Sequence, residues 1–264
     1  MTGTWPLRRS GFSSSATACS NGTNAREPDV SLGNRLLGSI LDPRKTMAAV
    51  AVKPKALDAL AVVLVVIAVL ALVAAPYGQR DQLKAMKDNP KMKERLGEER
   101  YEAMVWDLEN PSPARRFLFP FIGAPLVQLL GFLIAAVVLL ILGRLVSTEG
   151  TFQAVFAVLI TANAIDKILG GAVRTLLYVL RGSVAEASTS LALLVPGAAL
   201  TSPATIILGQ FDFFQLWMYA VIGLGLAFVL KVPAKKGWAL AYGFWAAKSV
   251  VFVAFGFLAR SFIV

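Results

Sequence analysis

Hydrophobic positions in this chain fall in long unbroken runs, seldom in the stripes of a soluble helix. Residues 56–75, 122–142, 152–176, 213–230 and 238–258 are apolar on nearly every face. Twenty residues of α-helix extend about 30 Å, the thickness of a hydrocarbon core. Soluble cores interrupt their apolar residues with helix or strand periodicity, and these runs do not. The pattern predicts an all-α fold, a polytopic integral membrane bundle of five transmembrane helices. The fourth run is the most fully marked. Phe211–Leu230 opens on an acidic and aromatic belt (Asp212, Phe213, Phe214, Trp217, Tyr219) and closes on Lys231, as a span with a defined interface does.

Between the runs the chain changes character. Residues 1–46 are rich in Ser, Thr, Asn, Gly and Arg and read as a flexible tail with no cleavable leader. Near its end, Leu32, Leu36, Leu37, Ile40 and Leu41 share a helical face, which predicts a short interfacial helix. The membrane domain then covers 47–264, its first span stopped by Pro76. Residues 77–120 form a polar loop whose charged middle, Lys91–Leu108, predicts a surface helix near the headgroups, with partner docking as the alternative. Pro111, Pro113 and Pro120 end it before the second span. The third span stays helix-compatible to Leu180, too long for an upright crossing, so tilt or a break near Gly170-Gly171 is expected. Residues 183–209 hold two short apolar runs around Pro196 and Pro203 and read as a loop at or dipping into the interface; a sixth or re-entrant segment stays open.

Composition removes more hypotheses than it adds. The net charge of +10 lies beside apolar runs and mixes with acids in the long loop, so a lipid bilayer is the expected partner and nucleic acid is not. The chain has no histidine and a single cysteine, Cys19. That leaves no His-based nucleophile pair, no Cys cluster for a metal and no intrachain disulfide. No cofactor, metal or catalytic site is expected, and the protein reads as a non-enzyme. Asn21-Gly22-Thr23 fits a glycosylation sequon, more simply a chance match. With eight Lys and Arg ahead of the first span, the N-terminus is expected in the cytoplasm. The 77–120 loop carries nine more against eight acids and is long enough to translocate, so the C-terminus is expected outside.

Several intramembrane polar residues are candidates for structure or function: Asn163, Asp166, Lys167 and Arg174 in the third span and Lys248 in the fifth. Asn163, Lys167, Gly170 and Arg174 share one helical face by spacing. Ionisable groups at such depth are expensive and find partners. Asp166 and Lys248 sit at similar depths, which predicts a pair locking the third span to the fifth. An ion or proton pathway is the sharper alternative. Ala239, Gly243 and Ala247 form a stripe of small residues on the fifth span, and Gly223 with Ala227 a shorter one on the fourth. Close packing of these two helices is predicted, with a homo-oligomer still open. Gly223-Leu224-Gly225 has no strand before it and is no nucleotide loop.

At Asp212, Phe213, Trp217, Gly223 and Gly225, the chain resembles the Yip family of five-span membrane proteins, its bacterial and archaeal branch more than the Rab-interacting eukaryotic one. Asp42-Pro43-Arg44 and the run Ser188–Leu193 carry the likeness further, which spans about residues 42–258. The resemblance implies a cytoplasmic N-terminus, a five-helix bundle and, for eukaryotic relatives, vesicle traffic through small GTPases and partner membrane proteins. The chain lacks an Asp-Leu-Tyr-Gly-Pro motif near its first span, so a Rab-type GTPase is not an expected partner. The expectation is a protein that organises membrane or partner proteins, in a bacterial cytoplasmic membrane. A small permease or ion-coupled transport component using Asp166, Lys167 and Lys248 is the alternative, weakened by the lack of an internal repeat.

Overall fold

The computed structural model describes residues 31–195 and 202–263. Cys19, the Asn21-Gly22-Thr23 sequon and Pro196 lie outside the described residues. Among the described residues every regular element is helical, and an isolated antiparallel bridge joins Ser190 to Asp212.

Where one short helix was expected near the end of the tail, at Leu32–Leu41, the structure has two. Ser31 accepts from the Asn34 N–H to cap α1 (Leu32–Leu41), and Asp42 accepts from the Lys45 N–H to cap α2 (Pro43–Val52). Pro43 occupies the first turn, where its missing N–H costs nothing. Met47 and Val50 of α2 are fully buried, so this hairpin belongs to the bundle as well as to its surface. The side chains that α1 buries are Ser39 and Arg35, the latter donating to the Lys55 carbonyl and pairing with Asp58 at the start of the next helix.

That helix, α3 (Leu57–Lys87), runs straight through Pro76. A proline removes one i→i−4 bond but its φ is helical, and helix-forming sequence on both sides continues the rod. The polar loop then folds back as α4 (Pro90–Leu96) and α5 (Glu98–Glu109). Leu108 and Met86 are buried where α5 meets α3, and Lys87 bonds Glu109 at 2.7 Å. Pro111 and Pro113 end α5, but Pro120 lies inside α6 (Ala114–Arg144), whose first ten residues form a wide π-helix. A missing N–H is easier to absorb in such a turn.

α7 (Phe152–Arg181) is the axis of the molecule: 72% of its most apolar window is buried, against 17%, 22% and 11% in the other three long helices. It does not break at Gly170-Gly171. Its irregularity is a π segment over Ala164–Gly170, after which α-helix resumes at Gly171. The described residues between α7 and the next long helix, 182–195 and 202–212, include a 3-10 turn (Leu191–Leu194) and α8 (Pro203–Leu208). α9 (Phe213–Val229) and α10 (Ala234–Ile263) close the fold as a hairpin. Four helices, α3, α6, α7 and α10, are long and apolar enough to cross a membrane. The fifth expected span is α9, whose 17 residues reach about 26 Å and fall short of a full crossing. The core lies where α2, α7 and α9 meet, around Met47, Val155, Ile160, Ile165, Ile222 and Leu226.

Candidate functional site

The polar residues of the spans converge halfway along α7 and α10. Asp166 lies fourteen residues into α7 and Lys248 fourteen into α10, each about 21 Å from its helix start. α9 begins at this same level, because Gln215 in its first turn bonds Lys248. The first turn of α9 is therefore seated inside the bundle, and its exposed N–H groups must be satisfied there. Asp212 does this: its Oδ1 accepts from the N–H groups of Phe214 (2.9 Å) and Gln215 (3.1 Å). Its Oδ2 accepts from the Thr189 hydroxyl and faces Arg174 Nη1 at 3.4 Å.

Arg174 ties two carboxylates together. Its Nη2 donates to Asp166 Oδ1 at 2.9 Å and to the Asp166 carbonyl at 2.7 Å, while Nη1 faces Asp212. In an ideal α-helix, eight residues would leave Arg174 about 80° round from Asp166. The π segment between them turns less per residue and brings the two onto one side. Asp166 Oδ2 is taken by Lys167 Nζ at 3.0 Å. Asp166 is almost wholly buried, and breaking such a pair from one side leaves an uncompensated charge.

These partners overturn one expectation. Asp166 does not pair with Lys248. Lys248 Nζ instead donates to Gln215 Oε1 at 2.9 Å and sits 5.4 Å and 5.8 Å from the ring centres of Tyr219 and Phe252. Asn163 donates to the Leu159 carbonyl at 2.8 Å and lines one cavity with Lys167, while Gly170 and Arg174 both lie against the Phe214 side chain.

The small-residue stripes are likewise rearranged. Gly223 and Ala227 do face α10, but against Gly237 and Trp238; a Cβ added at Gly237 would collide with the Gly223 carbonyl. Ala239, Gly243 and Ala247 are exposed, and nothing lies within 4 Å of a Cβ at Gly243. Gly225 packs instead on Val158 of α7 and Met47 of α2. Trp238 donates to the Ala220 carbonyl at 3.0 Å, and Trp217 packs beside Phe213, so both belong to the bundle.

Two cavities open from the polar level. One of about 410 Å³ is lined by Asp166, Lys167, Arg174, Tyr178, Asp212 and the serine-threonine run 188–190. The other, about 690 Å³, runs between α6 and α10 along Phe132, Val138, Tyr219, Phe244 and Phe252, with Lys167 and Lys248 at its polar end. Asp166, Lys167, Gly209 and Gln215 line both. Three cations (Lys167, Arg174, Lys248) meet two carboxylates (Asp166, Asp212), leaving one positive charge over. Among the described residues no group of acids, histidines or cysteines could hold a metal ion.

Sequence reasoning missed Thr189, Gln215 and Arg35. Asp42-Pro43 was a visible capping signal for α2, and no signal marked Gln215 as the partner of Lys248. A family model described as the Yip1 domain matches residues 37–256. No curated protein and no solved structure matches the chain.

Proposed function

The chain belongs to the Yip1 domain family, and from that premise we propose that it is a non-enzymatic multi-pass protein that organises membrane or partner proteins. The observation that carries the reading is the apolar surface left uncovered on the long helices: Val65 and Val69 on α3, Leu130 and Ile134 on α6, Val250 and Phe255 on α10 are each half or more exposed. Such continuous bands belong against lipid. The fold then crosses five times. The fifth crossing is composite, made of the short α9 and of described residues ahead of it, Ser188–Ser190 among them. Non-helical backbone is tolerated at depth where it is buried in protein or lines a polar cavity, and Ser188–Ser190 and Asp212 line one.

On this reading the N-terminus is cytoplasmic and the C-terminus outside, in the cytoplasmic membrane of a bacterium, within the prokaryotic branch of the family. The surface offered to partner membrane proteins is the α3–α5 arm, where Trp106 stands exposed beside the charges of α4 and α5. No Rab-type GTPase is proposed. Single cysteines placed at residue 103 and at residue 235, in a Cys19→Ser background, test the arrangement. Impermeant thiol labelling of intact cells should mark the first and spare the second; equal labelling of both would overturn the composite crossing. Crosslinking from residue 103 should capture a membrane protein rather than lipid alone.

A further inference from the structure

We propose that the joined cavities bind an anionic phospholipid, its phosphate at Lys248 and Lys167 and an acyl chain in the groove between α6 and α10. One positive charge is left over at the polar level. Both carboxylates at this level are spoken for: Asp166 by Lys167 and Arg174, Asp212 by Arg174, Thr189 and two backbone N–H groups. Among the described residues the direct contacts of Lys248 Nζ are a neutral amide and two ring faces, with Asp166 and Asp212 acting on it only from further off. These contacts spread its charge without cancelling it. A cation at this depth calls for an anion, and Lys167 lines the same cavity a short reach away.

The shape of the space selects the kind of anion. The larger cavity is walled mainly by aliphatic and aromatic side chains, and its rim residues Ile134, Val251 and Phe252 are exposed where the chain would meet lipid. A small inorganic anion would leave that groove empty. The smaller cavity adds hydroxyls and Tyr178 beyond the charged level, room for the polar substituent of a phosphodiester. Its combined form is thus apolar at one end, cationic at the junction and polar at the other. Basic pockets between membrane helices recognise anionic headgroups in this way. The two volumes, about 410 and 690 Å³, are of ligand size.

The inference rests on residence in a bilayer and not on the organising role. The test uses the full chain in a neutral detergent, with melting followed as dioleoylphosphatidylglycerol or dioleoylphosphatidylcholine is added. A ligand that binds the folded state raises the melting temperature. The phosphatidylglycerol should half-saturate at a concentration about fivefold or more below the phosphatidylcholine, a preference of roughly one charge contact. Lys248→Gln should abolish that preference and Lys248→Arg keep it. Val251→Trp, which narrows the groove without touching charge, should weaken both lipids, and Lys235→Gln should change neither. Retention of the preference in Lys248→Gln, or its loss in Lys235→Gln, overturns the site. So does full reproduction of the shift by inorganic phosphate. Should Lys248→Gln not fold, Lys248→Arg and Val251→Trp decide. A chain that needs detergent and ignores both lipids loses this inference alone; one that stays dispersed without detergent loses the membrane reading as well.

Discussion

The two ends of α9 are held by opposite means. Toward Val229 the helix lies backbone to backbone against α10, and Gly223, Gly237 and Ala227 work by what they lack. At its Asp212 end it is fixed by charge: a cap, an arginine bridging two acids and a lysine on an amide. Lipid offers no hydrophobic reward for joining helices, so closeness must come from small residues or from polar groups with nowhere else to go. Here one helix uses each at one end. The close seam fixes distance, and the polar level fixes register and leaves space.

The largest effect should come from breaking the polar end. Asp166→Ala leaves Lys167 without its carboxylate and Arg174 with Asp212 alone, with an expected loss of about 3–5 kcal/mol, read as a fall in melting temperature in detergent. Adding Arg174→Met should restore part of it; a double variant no more stable than Asp166→Ala would show that the pairing is not the source. Next is the seam. Gly237→Val has no space beside the Gly223 carbonyl and should cost about 1–3 kcal/mol or more by overpacking. The same change at Gly243, where a Cβ meets nothing, should stay within about 0.5 kcal/mol. Equal effects at the two glycines would erase the distinction drawn here.

The smallest effect lies outside both ends, in the turn between α4 and α5. The Lys93 ammonium holds the Glu98 carboxyl below its ordinary value, and Glu98 raises Lys93 in return. The carboxylate's contribution is present above its unfolded pKa and fades as pH falls through the folded one. That of Lys93 is present below its unfolded pKa and fades as pH rises through the folded one. With the intrinsic pH dependence of exchange divided out, the protection of amides in this turn should therefore be greatest at neutral pH and fall toward both extremes. Both groups are exposed, so salt should flatten the profile.

Much of this was legible in the chain. Helical class and the positions of the long apolar runs follow from length and composition, since a helix buried in oil needs no periodicity. The ends of those helices were not. Pro76 and Pro120 read as stops because a proline breaks local hydrogen bonding, yet both lie within continuous helices. Partners were legible only where helical spacing is ideal. The π segment 164–170 rotates Arg174 toward Asp166, and no pattern of residue types announces it. The glycine seam shows the same limit: Gly243 and Gly237 are alike in sequence, and only the register of α9 on α10 decides which one touches.

α3 is 31 residues long, about 46 Å, against an oil layer of about 30 Å. Near the C-terminal end of α3, Asp81 receives the Val184 and Ala185 N–H groups at 2.7 and 2.9 Å, and Lys87 grips Glu109 of α5. The rod is thus fastened near that end both to α5 and to the residues that follow α7. A push on α5 would reach Val184 and Ala185 through α3, as along the arm of a lever.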